Sequence, residues 1–282
     1  MTDAWLLTAT NQYVEADGIR FGYRRFGTAT GPPLVFLQHF RGNFDTHDPA
    51  ITDPLAQGRE VIVFNTSGIA SSTGEPRTTI DDIARDAITF VEALGLEQID
   101  LLGHSMGGHE AQLVAAWRPD LVRRLILVGT GPRGGEGMDV RPPGVGALFT
   151  KTYEPQDLMW GPIFFSASEK GQAAANAYYA RTHQRADRDT PVSDEAKAAH
   201  WGAARAWGQK YEGSHDYLAD ITQPTLVVNG SNDVVVPTVN SFILQQEIPN
   251  ARLVLYPDSN HGAHFEYHEH FTREAAYFLD QG

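Results

Sequence analysis

Short apolar runs alternating with helical periods predict an α/β fold for this 282-residue chain, with strands of a largely parallel sheet joined by helices. Three observations carry that expectation. Residues 60–64, Glu-Val-Ile-Val-Phe, are apolar after the first, as a parallel strand buried on both faces should be. Residues 79–94 repeat Ile80, Ile83, Ala84, Ala87, Ile88, Val91 and Leu94 at three- and four-residue spacing, the period of one helix face. A second apolar run, 99–102, passes through a glycine-rich turn into another helical pattern, 109–117.

The remaining elements follow from the same signals. Residues 12–15 and 19–26 flank Asp17-Gly18, a pair that favours the turn matching strand twist, and read as a hairpin. After Gly31-Pro32-Pro33 comes a third strand at 34–37; 60–64 is the fourth, 99–102 the fifth and 125–128 the sixth. Composition then shifts: all four lysines (Lys151, Lys170, Lys197, Lys210) lie inside 131–214. Alanine-rich stretches at 169–182 and 193–211 favour helices, the latter starting at Ser193-Asp194-Glu195. We therefore expect a core made of 1–130 and 215–282 and an inserted helical domain, 131–214. Its many large aromatics mostly pack on one another, and some must line any site beneath. Strands at 225–229 and 251–256 and a last helix beyond residue 262 complete the chain.

The turn after 99–102 reads Gly103-His104-Ser105-Met106-Gly107-Gly108. A G-x-S-x-G turn is so tight that the positions two residues either side of the serine have no room for a side chain, while the hydroxyl stands clear. Ser105 is thus a candidate nucleophile. A serine hydroxyl needs a base to take its proton and an acid to hold that base in the right tautomer. Residues 225–229 run into Gly230-Ser231-Asn232-Asp233, and 251–256 into Pro257-Asp258-Ser259-Asn260-His261. Loops beyond the carboxyl ends of parallel strands share one edge, so Ser105, Asp233 and His261 can converge. Asp258 is the rival acid, although it shares a loop with the base instead of bracing it from a neighbouring strand. His264 and His268 fall four apart at the start of the last helix and can share a face, but no cysteine or clear third ligand accompanies them, and no metal site is assigned.

On this elbow, and on the order serine, acid, histidine, the chain resembles the α/β-hydrolase superfamily from about residue 13 to the C-terminus. The resemblance implies an eight-stranded, mostly parallel sheet with helices on both faces and a helical cap after the sixth strand. It makes Ser105 the nucleophile, His261 the general base and Asp233 its orienting acid. It implies an oxyanion hole built from the amides of Met106 and, in the loop Gln38-His39-Phe40-Arg41-Gly42, of Phe40; another register would make Arg41 the donor. Gln38-His39 departs from the His-Gly usual at that point. The Arg41 guanidinium is a candidate for a substrate carbonyl or carboxylate, and His104, Trp160 and Phe164 are further candidate substrate contacts. The implied reaction is hydrolysis of a carboxylic ester or lactone of a largely apolar small molecule through an acyl-enzyme, with no metal or organic cofactor. Perhydrolysis, haloperoxidation and cleavage of vinylogous C–C bonds use the same triad, and some members bind small molecules without turnover. Serine at the elbow is incompatible with those relatives that need aspartate there to form an alkyl ester.

Composition narrows the partners. A net charge of −13 argues against nucleic acid and anionic membranes, both of which reward basic patches. The absence of cysteine excludes disulfides and thiol chemistry. With no charged leader and no apolar run of membrane-spanning length, a cytoplasmic location is expected. Homo-oligomerisation is left open.

Overall fold

The computed structural model describes residues 5–28, 31–140 and 143–281. A short helix, α1 (Trp5–Thr8), precedes β1 (Gln12–Ala16) and β2 (Ile19–Gly27). Asp17 and Gly18 have φ of 49° and 76°, the two successive left-handed residues that a tight hairpin turn requires. The other strands are β3 (Leu34–Leu37), β4 (Glu60–Phe64), β5 (Ile99–His104), β6 (Val122–Val128), β7 (Thr225–Gly230) and β8 (Ala251–Tyr256). They form one eight-stranded sheet in the order β1-β2-β4-β3-β5-β6-β7-β8. β2 pairs antiparallel with β1 and β4, and every later pair is parallel.

The crossovers explain the layers. α2 (Pro49–Ala56) carries the chain from β3 towards one edge, whereas α3 (Ile80–Ala93) and α4 (Met106–Trp117) carry it towards the other. Right-handed crossovers running in opposite directions put their helices on opposite faces. Between β6 and β7 lie α5 (Pro143–Thr150), α6 (Trp160–Phe164), α7 (Glu169–Thr182) and α8 (Asp194–Trp207). α9 (Val239–Glu247) joins β7 to β8, and α10 (Ala263–Glu266) and α11 (His268–Asp280) end the chain, α11 packing against α2. Among the described residues no helix is long and apolar enough to cross a membrane.

Several boundaries differ from the sequence reading, each for a physical reason. α4 begins at Met106, not near residue 109, because Gly107 and Gly108 provide clearance inside the helix instead of delaying it. α8 stops at Trp207, before the expected 211, where Gly208 follows. α2 escaped notice because Pro54 sits inside it; Asp48 caps its start by accepting from the Ala50 amide, with Pro49 at the first helical position. Tyr267 separates α10 from α11, so His264 and His268 do not share one helix.

At the elbow backbone is packed directly against backbone. A Cβ at Gly103 would lie 2.2 Å from the Gly107 carbonyl oxygen, and one at Gly107 would lie 2.3 Å from the Leu37 carbonyl oxygen. At Gly202, on the exposed side of α8, a Cβ would meet nothing within 4 Å. Close by, the interior beneath the ends of β3 and β5 turns polar: His39, His47, His104 and His264 line one cavity of about 20 Å³. Their rings are packed edge to face, 5.5 Å from His39 to His104 and 4.3 Å from His104 to His264. Burial lowers His39 to about 4 and His47 to about 3, and, with help from neighbouring imidazoles, holds His104 and His264 well below 6.5.

Two predictions follow from this crowding and burial. Gly103→Ala costs about 3 kcal/mol or more through overpacking against backbone that cannot move aside, while Gly202→Ala stabilises α8 by about 0.5–1 kcal/mol; urea denaturation of both variants measures the contrast. Because the folded chain refuses protons that the unfolded histidines accept below their ordinary value of 6.5, stability is fully present above that pH and is lost as pH falls towards 4. His39 and His47 alone remove about 2 kcal/mol each at pH 5 relative to pH 8. Urea midpoints that stay constant between pH 8 and pH 5 would contradict this.

Candidate active site

Ser105 closes β5 with φ 56° and ψ −117°, a backbone conformation that a residue with a Cβ rarely adopts. The surroundings hold it there. Its amide donates to the Val128 carbonyl (2.9 Å), and its carbonyl accepts from the amides of Gly108 (2.9 Å) and His109 (3.3 Å) and from Thr130 Oγ1 (2.9 Å). α4 starts at the next residue, so its positive N-terminal end faces the serine.

β7 and β8 deliver the other two side chains to the same edge. His261 Nδ1 lies 2.8 Å from Asp233 Oδ2, and its Nε2 lies 2.7 Å from Ser105 Oγ. An imidazole that donates from Nδ1 to a carboxylate must accept at Nε2, which orients it to take the serine proton. The second Asp233 oxygen accepts from the amides of Val235 (2.8 Å) and Val236 (2.9 Å), so the carboxylate is fixed on both sides. Both side chains are buried, that of Asp233 fully. Asp258, the rival acid, is exposed, while Asp233 holds the ring. Asn260, which the sequence reading passed over, accepts at Oδ1 from the amides of Val234 and His261, both at 2.9 Å, and so ties the acid loop to the base loop. Its only sequence signal was its place immediately before the histidine.

Above Ser105 is a cavity of about 50 Å³ bounded by Phe40, Met106, Trp160, Phe164 and His261. Phe40 and Met106, the expected oxyanion donors, thus border the serine from the loop after β3 and from the first residue of α4, and neither amide donates to another backbone carbonyl among the described residues. Trp160 and Phe164 stand where substrate contacts were expected, with rings stacked 4.8 Å apart. Two expected contacts are elsewhere. Arg41 does not border this cavity: its φ of 61°, in a turn closed by the Gly42 amide on the His39 carbonyl (2.9 Å), throws the side chain outward over the Phe40 ring (4.7 Å). His104 alternates away from Ser105 and faces the histidine-lined cavity behind, with Nε2 3.3 Å from the His261 carbonyl oxygen. The sequence reading missed Met138, Ile163, Val235 and Val236, which also border the site. Among the described residues no group of three or more His, Asp or Glu side chains is arranged to hold a metal ion.

Known proteins share this architecture. The model of the alpha/beta hydrolase fold matches residues 32–267. An alpha/beta hydrolase fold protein from Chitinophaga pinensis is 36% identical, superimposes with a TM-score of 0.91, and is covered over 99% of its length by 98% of this chain. The structure of Est816, an N-acyl homoserine lactone degrading enzyme, is 27% identical with a TM-score of 0.71, over 95% of this chain and 100% of that one. A 2-hydroxy-6-oxononadienedioate/2-hydroxy-6-oxononatrienedioate hydrolase from Pseudomonas putida is 28% identical over 236 residues, 80% of this chain and 78% of its own. With its eight-stranded sheet, its serine elbow and a family match across most of its length, this chain belongs to the alpha/beta hydrolase fold family.

Proposed function

We propose that this chain is a serine hydrolase that cleaves a carboxylic ester or lactone of a largely apolar small molecule. The observation that carries the reading is the unbroken chain of hydrogen bonds from Asp233 through His261 to Ser105, at 2.8 and 2.7 Å. In this mechanism His261 removes the Ser105 proton as the oxygen attacks the carbonyl carbon. The carbonyl π electrons move to oxygen, and the amides of Met106 and Phe40 stabilise the oxyanion. His261⁺, held by Asp233, then protonates the departing alcohol, leaving an acyl-enzyme. Water, deprotonated by His261, repeats the sequence on the acyl carbon and frees Ser105.

The 131–214 segment serves as a cap in this reading. A site of about 50 Å³ admits a few atoms, against roughly 300–1,000 Å³ for ordinary ligand pockets, so the cap must move to admit substrate. The second reading on the same three residues is hydrolysis of a vinylogous C–C bond, favoured by the 28% identical relative named for an oxo-dienedioate substrate. Both start with the same nucleophile and differ in what the pocket accepts.

A fluorophosphonate probe is expected to label the wild-type protein and not Ser105→Ala. Asp233→Asn is expected to lower kcat by about 10⁴-fold, as loss of the correct tautomer does in Ser-His-Asp enzymes. A panel of aryl, alkyl and cyclic esters beside a 2-hydroxy-6-oxo-dienoate separates the two readings. Labelling that survives Ser105→Ala would remove the serine from its role, and binding without multiple turnover would make the protein a receptor.

A further inference from the structure

The geometry points to a second, outer binding site for a carboxylate, placed so that the hydrolysed substrate carries its negative charge outside the serine cavity; this rests on the ester-hydrolase reading above. An open outer cavity of about 530 Å³ is lined by Arg41, Lys151 and Lys197 and by a single carboxylate, Asp194. Three cations against one anion form a local excess of positive charge on a protein whose net charge is −13. An acidic molecule repels anions at long range, so a cationic concavity in it concentrates them at one place.

The individual groups are disposed to receive a ligand. The guanidinium of Arg41 rests on the Phe40 ring; its Nη1 lies 4.0 Å from Met159 Sδ, and its Nε has no hydrogen-bond partner among the described residues. Lys197 pairs with Asp194 at 2.9 Å, but that carboxylate is almost fully exposed, and such pairs are weak and readily exchanged. Lys151 lies over the Tyr153 ring at 5.2 Å. On their other side Arg41 and Lys197 border a second cavity that also holds Arg188 and two carboxylates, Asp157, which Arg188 approaches at 3.7 Å, and Asp189. The larger excess of positive charge is therefore in the first cavity, which has a single carboxylate.

That cavity adjoins the serine site through a thin aromatic wall. Phe149 borders both spaces, and its ring stands 5.9 Å from Phe40 and 5.8 Å from Trp201. A flexible chain that pushes the Phe149 ring aside from Trp201, which it now touches edge to face, joins an acyl carbonyl at Ser105 to a far end among Arg41, Lys151 and Lys197. The substrate class this fits is a hemiester of a dicarboxylic acid, or a lactone with a carboxylate on its side chain. Arg41 is a candidate carboxylate contact from the sequence; its convergence with Lys151 and Lys197 outside the serine cavity is what the structure adds.

The test compares p-nitrophenyl hemiglutarate with p-nitrophenyl valerate, which has the same chain length and no charge. Wild type is expected to favour the hemiester by about tenfold in kcat/KM, through KM, an advantage that shrinks in about 0.5 M NaCl. Lys151→Glu combined with Lys197→Glu is expected to abolish the preference while valerate turnover stays within about twofold. Calorimetric binding of both esters to Ser105→Ala gives a readout independent of turnover. A charge preference in binding without turnover in the wild type keeps the outer site and removes the hydrolase reading. Valerate turnover with no charge preference, or a preference untouched by the double reversal, overturns the outer site and leaves the hydrolase reading standing. Failure of the hemiester to bind overturns the outer site as well.

Discussion

Everything at the working edge of this protein depends on how closely backbone approaches backbone around residue 105. The end of β5, the first turn of α4 and the end of β3 pass so near one another that Gly103 and Gly107 have no space for a methyl group, with Cβ positions 2.2 and 2.3 Å from carbonyl oxygens. That proximity forces the chain to reverse in a single residue, and Ser105 takes the strained conformation (φ 56°) that reversal demands. Because the elbow is built mainly from backbone, the position of the hydroxyl is set by the path of the chain. The strained residue is in turn pinned by the Val128, Gly108 and Thr130 bonds, so strain and restraint occur at the same place.

The same crowding explains why the neighbouring loops can be aimed so tightly. β7 and β8 run beside β6 in register, and their carboxyl ends finish at the same edge as β5. Asp233 and His261 then need only short loops to reach the serine. Asn260 couples those loops, since one oxygen holds an amide from each. Moving either loop alone breaks that shared contact, so the acid and the base are positioned as a unit.

The sheet and the three central residues were legible in the sequence because their signals are local: apolar runs of strand length, a glycine spacing with a steric cause, and an acid and a histidine each just past a strand. What could not be read depends on orientation or on distant partners. Arg41 follows Phe40 directly, yet its left-handed φ sends it outward, and residue type does not reveal φ. His104 is adjacent to Ser105 and still faces the opposite way, because successive strand residues alternate. The lining of the cavity by Met138, Val235 and Val236 comes from segments far apart in the chain and carries no local pattern. α2 was hidden by Pro54, which argues against a helix by propensity but is tolerated here near its end.

The 131–214 segment is attached to the sheet domain by contacts of two kinds. One part is tied to the sheet domain by directional polar bonds: Arg181 to Asp48 at 2.8 and 2.6 Å, Arg185 to the carbonyls of Leu7 and Ala9 at 2.8 Å, and the Tyr178 hydroxyl to the Thr46 carbonyl at 2.9 Å. These are geometry-specific contacts, several with a buried carboxylate or guanidinium, and displacing α7 would strand charge in the interior. At α5 and α8 the contacts across the seam include aromatic faces, with Phe40 against Phe149 and Trp201. Ring pairs accept either offset-stacked or edge-to-face arrangements over a centroid range of roughly 4.5–7 Å, whereas a two-pronged ion pair accepts one geometry. Motion is therefore least costly where Phe149 separates the serine cavity from the cationic one. If the hydrolase reading holds and substrate enters beneath this segment, the seam beside the anchored helix is where it gives way.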